Sequence, residues 1–209
     1  MVIIIGNQKG GAGKSTLTLM LANYLTQAKK CAVTVIDMDY QQSIAQKFEK
    51  AKLLENAEPY EVIAANLENY PDMLEILKAS GDQVVLIDLP GKLDDDGLIP
   101  VFKSADLVIC PFAYDEFSFD STILFSVVLR KINPDVTISY IPNRIKANVK
   151  YDTQVEVDEQ LSKFGNISSA IPDRIDFQRT NTVQTPLSVL PVIIRVFDKI
   201  YKDHLINNL

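Results

Sequence analysis

The chain of 209 residues has no tryptophan, one histidine and two cysteines. Each scarcity narrows what it can do. Cys31 and Cys110 stand alone, without the spacing of a metal-ligand set or a redox pair, which argues against a zinc module or a disulfide framework. They read as small apolar residues of a protein in a reducing compartment. His204 lies far from every other feature of interest and is expected on the surface of the last helix. No apolar run approaches the ~20 residues of a membrane span, and the first residues lack the basic segment of a signal peptide. Repeats, low-complexity tracts and linkers are also missing. A cytoplasmic protein without a membrane partner is expected.

Positive charge is in short supply overall, with a formal net charge of −6, which excludes a body coated in basic groups. The balance is uneven, however. Residues 37–96 are strongly acidic, whereas 130–150 and 174–209 each carry more basic than acidic groups. One region is therefore able to meet a polyanion while the whole stays acidic.

Short apolar runs at 2–5, 33–36, 84–87, 107–110 and 136–141, with a weaker one near 167–171, are continuous rather than alternating. That pattern belongs to parallel strands covered on both faces. Between the first two runs, Leu17, Met20, Leu21, Tyr24, Leu25 and Ala28 recur at helical spacing. Residues 118–132, 152–164 and 187–205 also read as helices, with Pro191 near the start of the last. Residues 44–80 read as helical without a clear period. The alternation predicts an α/β fold, a doubly wound, mostly parallel sheet with helices on both faces, in one domain over residues 1–209. No separate N-terminal DNA-binding domain is expected.

In such a sheet ligands bind beyond the carboxyl ends of the strands, so the residues just past each strand are informative. The first runs into the loop "GNQKGGAGKST", the second into Asp37-Met38-Asp39, the third into Asp88-Leu89-Pro90-Gly91, and the fifth into Pro142-Asn143-Arg144. Glycines 10, 11 and 13 allow a tight curl whose backbone N–H groups cradle phosphates, and a helix beginning near Lys14 adds its N-terminal dipole. Lys14 is placed to reach the β- and γ-phosphates of a nucleotide, Ser15 to hold Mg²⁺, and Thr16 to lie near the α-phosphate. The strict pattern G-x-x-x-x-G-K-[ST] wants glycine where Gln8 stands, and a second lysine, Lys9, sits inside the loop.

The stretch "KGGAGKST", Lys9 and Gly10-Gly11-Ala12-Gly13-Lys14-Ser15-Thr16, resembles the deviant Walker A motif of the ParA/MinD ATPases. The order of the later motifs extends that resemblance over essentially the whole chain, and without an N-terminal extension it is similar to the small ParA type that partitions DNA. The resemblance implies a P-loop fold that binds ATP or ADP with Mg²⁺. It implies that Lys9 crosses a dimer interface to the partner's nucleotide, a charge supplied in trans like an arginine finger. "DMDYQQS" is similar to the family's first switch, usually "DxDPQ", with Tyr40 for the usual proline and Gln42 for the usual glycine. By this resemblance Asp39 orients the attacking water and Asp37 lies near the metal shell. Asp88 ends an apolar run as a Walker B aspartate does and is expected to hold a Mg²⁺-bound water and the Ser15 hydroxyl. Pro90-Gly91 resembles the second switch. Asn143 occupies the place where the family reads adenine, and "IPDRIDFQRTNTVQTPL" looks like its other base-contacting loop, with Asp173 near the ring. Asp94-Asp95-Asp96 reads as a solvated run.

The function implied is a partition switch. ATP closes a homodimer, the dimer binds DNA without sequence preference, and hydrolysis releases it, stimulated by a centromere-binding or cargo-adaptor partner. Candidate phosphate contacts are Lys146, Lys150, Arg174, Arg179, Arg195, Lys199 and Lys202, none in a motif that reads bases. ATP-bound protein would then associate with the nucleoid. A MinD-like membrane-cycling ATPase requires a basic amphipathic tail, which "YKDHLINNL" does not offer. A metabolic enzyme resembling dethiobiotin synthetase requires a small-substrate pocket that no extra constellation suggests. Iron–sulfur carriers and tyrosine kinases of this lineage require cysteine or tyrosine clusters, and neither is present.

Overall fold

The computed structural model describes residues 1–79, 81, 83–91 and 95–206. Seven strands form one sheet: β1 (Val2–Ile5), β2 (Val33–Asp37), β3 (Glu61–Ala64), β4 (Val84–Asp88), β5 (Leu107–Phe112), β6 (Thr137–Pro142) and β7 (Asn166–Ile167). They are all parallel, in the order β3-β2-β4-β1-β5-β6-β7. Parallel neighbours demand crossovers, which α1 (Lys14–Asn23), α2 (Ser43–Leu53), α3 (Tyr70–Ala79), α4 (Leu98–Ser104), α5 (Glu116–Ile132) and α6 (Gln154–Leu161) supply. A single turn, α7 (Ile175–Gln178), and α8 (Leu190–Ile200) close the fold. The doubly wound parallel sheet inferred from the sequence is the fold observed.

Continuous apolar runs make sense once both faces are covered. Ile3, Ile5, Val33, Val35, Val84, Leu86, Leu107 and Ile109 point into the core beneath α1 and α8. Val2, Ile4, Ile36, Val85, Ile87, Val108 and Cys110 point into the opposite core with Phe102, Phe125 and Leu161. Successive strand residues alternate sides, so a run with no polar member serves two cores at once. Cys110 is fully buried and Cys31 half-buried, both as free thiols.

Residues 44–80 depart from the helical reading, because β3 lies inside them. It is an edge strand bonded only to β2, with a half-exposed pattern and an acidic start, so it lacks the apolar run that marks its neighbours. The last helix is likewise less uniform than expected, with a 3₁₀ turn at Leu187–Val189, Pro191 in the first turn of α8, and a wider π turn at Tyr201–Leu205. His204 is half-buried in that turn, at the edge of an open cleft.

β1 lies between β4 and β5, and the chain winds to one side of it through β2 and to the other through β5. That reversal opens a crevice at the carboxyl end of β1, and the glycine loop occupies it.

Candidate nucleotide-binding site

The loop from β1 to α1 is held at its entrance by a buried asparagine. Asn7 Nδ2 donates to Pro111 O (2.8 Å) and Thr122 Oγ1 (2.9 Å), while its Oδ1 accepts from Lys9 N (2.9 Å). At the exit Gly13 adopts the left-handed conformation, φ 95° and ψ 21°, and precedes α1 without any side-chain cap. The first N–H groups of the helix therefore keep no side-chain acceptor, and this is the anion-binding end of the helix dipole.

Lys14 is the first residue of that helix and is buried at 7% exposure. Burial pushes its ammonium below the usual lysine range, and Asp88 and then Asp39 oppose that shift by favouring the charged form. A methyl group built on Gly91 would lie 3.7 Å from Lys14 Nζ and 3.8 Å from Gly10 Cα. Gly91 thus lies directly across from the loop.

Asp88 ends β4 with no exposure to solvent. Its Oδ1 accepts from Thr18 Oγ1 (3.1 Å), whereas Oδ2 is buried without a hydrogen-bond partner. Burial raises its carboxyl to about 7. Hydrogen bonding from Ser15 opposes the rise, Asp37 adds to it, and Lys14 and Thr18 lower it again. A buried, unpartnered carboxylate oxygen beside a hydroxyl suits a hard cation. Mg²⁺ keeps most of its waters and takes one or two protein ligands plus phosphates, so Ser15 and Asp88 fit it. No larger cluster of His, Cys, Asp or Glu able to hold a metal occurs among the described residues.

Asp37 stands beside Asp88 in the strand register, and both its oxygens accept from backbone N–H groups. Oδ2 accepts from Ile44 (2.9 Å) and Ala45 (3.0 Å), and Oδ1 from Asp39 (3.3 Å). It caps α2 from the neighbouring strand end and ties the first switch to that helix. Burial raises its carboxyl, and these backbone bonds pull it back.

Asp39 is half-buried in a turn in which its Oδ1 accepts from Gln41 N (2.9 Å). A cleft of about 270 Å³ opens beside it, lined by Tyr40, Gln42, Asn66, Glu68 and Asp95. Asp95 and Asp96 are exposed, as expected, and Asp94 lies outside the described residues. Gln42 occupies the left-handed region, φ 46° and ψ 43°, where the first-switch pattern has glycine. A non-glycine residue there costs about 1–2 kcal/mol, partly offset because glycine loses about 0.5–1 kcal/mol more chain entropy. Gln42→Gly should therefore raise the unfolding free energy by roughly 0.5–1 kcal/mol in a denaturant titration. An unchanged or lower value contradicts this account of the switch.

Asn143 follows β6 and packs against the loop. Its Nδ2 donates to Ala12 O (2.8 Å), so its amide N–H₂ braces the phosphate loop. The segments after β6 and before α7 are tied by Ile145 N to Ile171 O (3.0 Å) and Asp173 N to Ile145 O (2.9 Å). Gly13, Thr16, Asn143, Arg144, Pro172 and Asp173 consequently line one narrow crevice. Lys9 stands apart from this group, its Nζ 5.4 Å from the centroid of the Phe117 ring, and that ring is 73% exposed.

The seven basic candidates are all exposed. Lys146 and Lys150 lie in the β6–α6 loop, Arg174 and Arg179 flank α7, and Arg195, Lys199 and Lys202 follow one side of α8 and its last turn. Three are already paired: Lys150 with Asp152 (3.1 Å), and Arg174 and Arg179 with Asp176 (3.6 and 3.1 Å). Asn7 and Thr18 were missed by the sequence reading. Thr18 lies one helical turn beyond Lys14, and Asn7 is a polar residue closing a wholly apolar strand. That position is the one signal that pointed to it.

Residues 3–198 match the CobQ/CobB/MinD/ParA nucleotide binding domain. The chain belongs to that family. Comparison with curated proteins finds no match. Among solved structures, this ParA/MinD-family chain is similar to a Borrelia burgdorferi plasmid partition protein bound to AMPPNP, with 24% identity, TM-score 0.75, and 97% of this chain and 98% of that one covered. It is similar also to Cyanothece McdA without nucleotide (18% identity, TM-score 0.71, 96% and 98% covered). A third is the cell division protein MinD of Aquifex aeolicus (20% identity, TM-score 0.71, 96% and 95% covered). At these identities the likeness establishes the shared fold. The family match makes the glycine loop part of a nucleotide-binding domain.

Proposed function

We propose that the protein is a ParA-type ATPase whose nucleotide-driven dimer binds DNA without sequence preference and leaves it on hydrolysis. The observation that carries this reading is the convergence of uncapped helix, Lys14, the Ser15–Asp88 pair and Asp39 on one sheet edge, with Lys9 outside it. In this assignment the loop N–H groups and Lys14 bind the β- and γ-phosphates, and Ser15 and Asp88 hold Mg²⁺. The ion neutralises phosphate charge when bound. Asp39 orients the attacking water. Asn143 and Asp173 border the base, with Asn143 also bracing the loop.

Lys9 acts on the nucleotide of a second copy. Its contact with Phe117 supports this, because an exposed cation–π contact is worth only about 0.5–1 kcal/mol and is readily exchanged for a phosphate across an interface. Among the described residues no independently strong base adjoins the site, so a partner protein is expected to accelerate turnover. No helix among the described residues is long and apolar enough to cross a membrane.

The test is DNA binding with ATP, with ADP and without nucleotide, at low and raised salt, beside Lys9→Ala. Binding confined to the ATP state, lost in salt and lost in the variant, is the expected result. ATP turnover without DNA binding in any state overturns the partition reading and leaves the nucleotide site intact.

A further inference from the structure

Outside the nucleotide site, a cleft of about 440 Å³ lies between α2 and the segment beyond α7. One wall is a single helical face, Lys47, Lys50, Ala51 and Leu54, spaced at i, i+3, i+4 and i+7. The other runs from Gln178 to Gln184 and includes Arg179. None of its lining residues is acidic, in a chain whose formal net charge is −6. Lys47 and Lys50 make no ion pair within 4 Å among the described residues, whereas Lys52 on another side of the same helix engages Glu49 and Glu58. The wall also holds Thr180 and Thr182, whose buried hydroxyls have no hydrogen-bond partner.

The loop wall is preformed. Asn23, buried in α1, donates through Nδ2 to Asn181 O (3.0 Å) and Thr185 Oγ1 (3.0 Å). Asn181 Oδ1 accepts from Val183 N and Gln184 N (both 2.9 Å). Gln27 Nε2 reaches Val183 O (2.8 Å). A preformed cleft without acidic lining, with two ammonium groups outside any ion pair and a guanidinium shared with Asp176 (3.1 Å), is built to receive phosphate. It lies on the same side of the sheet as α8, where Arg195, Lys199 and Lys202 are exposed.

We propose that this cleft seats the phosphate backbone of DNA, with Lys47 and Lys50 as contacts and the Leu54 side chain against sugar. The proposal rests on the DNA-binding reading above and adds to it a site on α2. Each phosphate contact contributes about 0.9 to the slope of log affinity against log salt. The experiment is binding of a fluorescent duplex to the ATP-loaded full chain across a salt series. Wild type is compared with Lys47→Ala/Lys50→Ala, Lys47→Arg/Lys50→Arg, and a charge-matched control, Lys103→Ala/Lys163→Ala, on the opposite side of the sheet. Thermal unfolding of each variant confirms that it folds.

The alanine pair is expected to weaken binding at least tenfold at low salt and to reduce the slope by about 2. The arginine pair should restore both, and the control should move the slope by less than half a unit. If wild type binds and the alanine pair matches it in affinity and slope, or if the control loses as much, the cleft is not a DNA site while the partition reading stands. If wild type with ATP binds no DNA, the partition reading falls and this assignment falls with it.

Discussion

Gly13→Ala is expected to lower nucleotide affinity by about 100-fold or more in a calorimetric titration with a non-hydrolysable ATP analogue. Two costs add. The residue sits at φ 95°, where a side chain costs about 1–2 kcal/mol. A Cβ there would also stand 2.3 Å from Asn143 Nδ2, closer than any real contact, so the asparagine must leave. Its bond to Ala12 O then goes too, worth about 1 kcal/mol, together with the brace on the loop. The sum is roughly 3 kcal/mol at the phosphate cradle, and each 1.4 kcal/mol is tenfold. By contrast, a Cβ at Gly10 would meet nothing within 4 Å, and its φ is not in the left-handed region. Gly10→Ala should therefore cost far less. Equal losses at the two positions, or a Gly13→Ala loss under threefold, would contradict the geometry of the loop.

Asn7→Ala is expected to cost about 3–4 kcal/mol of stability, because its fully buried side chain closes three hydrogen bonds. Truncation strands the buried Pro111 O, at about 1–3 kcal/mol, and removes the bonds to Thr122 Oγ1 and to the half-buried Lys9 N, at about 1 kcal/mol each. For a domain of this size that corresponds to a fall in Tm of roughly 10 °C. Asn7→Asp should be worse despite its shape. It turns an oxygen toward Pro111 O, and Thr122 Oγ1 already spends its proton on Ser118 O (2.7 Å). Both variants also release the entrance of the phosphate loop, so nucleotide affinity should fall with stability. A melting midpoint within 3 °C of wild type for Asn7→Ala would remove Asn7 from this role.

Much of this arrangement was legible because the physics is local. An apolar run leading into glycines, lysine and serine has few alternatives, and each strand end carried its own polar signature. Asp88 was found because a carboxylate closing a buried strand needs a reason to be there. What escaped depends on partners distant in sequence. Asn7 gains its meaning from Pro111 and Thr122, more than 100 residues away. The tie of Asp37 Oδ2 to Ile44 N and Ala45 N, at the start of α2, likewise has no local signature in the sequence. β3 was invisible because an edge strand with one neighbour need not be apolar. Lys47 and Lys50 lie within the acidic span 37–96, whose net charge hid them; only the placement of the segment after α7 separates their face from the acidic ones.

The central claim is that ATP, through Lys9, joins two copies of this chain. The most direct measurement is sedimentation of the wild type and Lys9→Ala with Mg²⁺ and either ATP or ADP. A shift from monomer to dimer with ATP alone, lost in Lys9→Ala, is the result this account predicts. The same oligomeric state with ATP and ADP, or an ATP-dependent dimer that survives loss of Lys9, would contradict it.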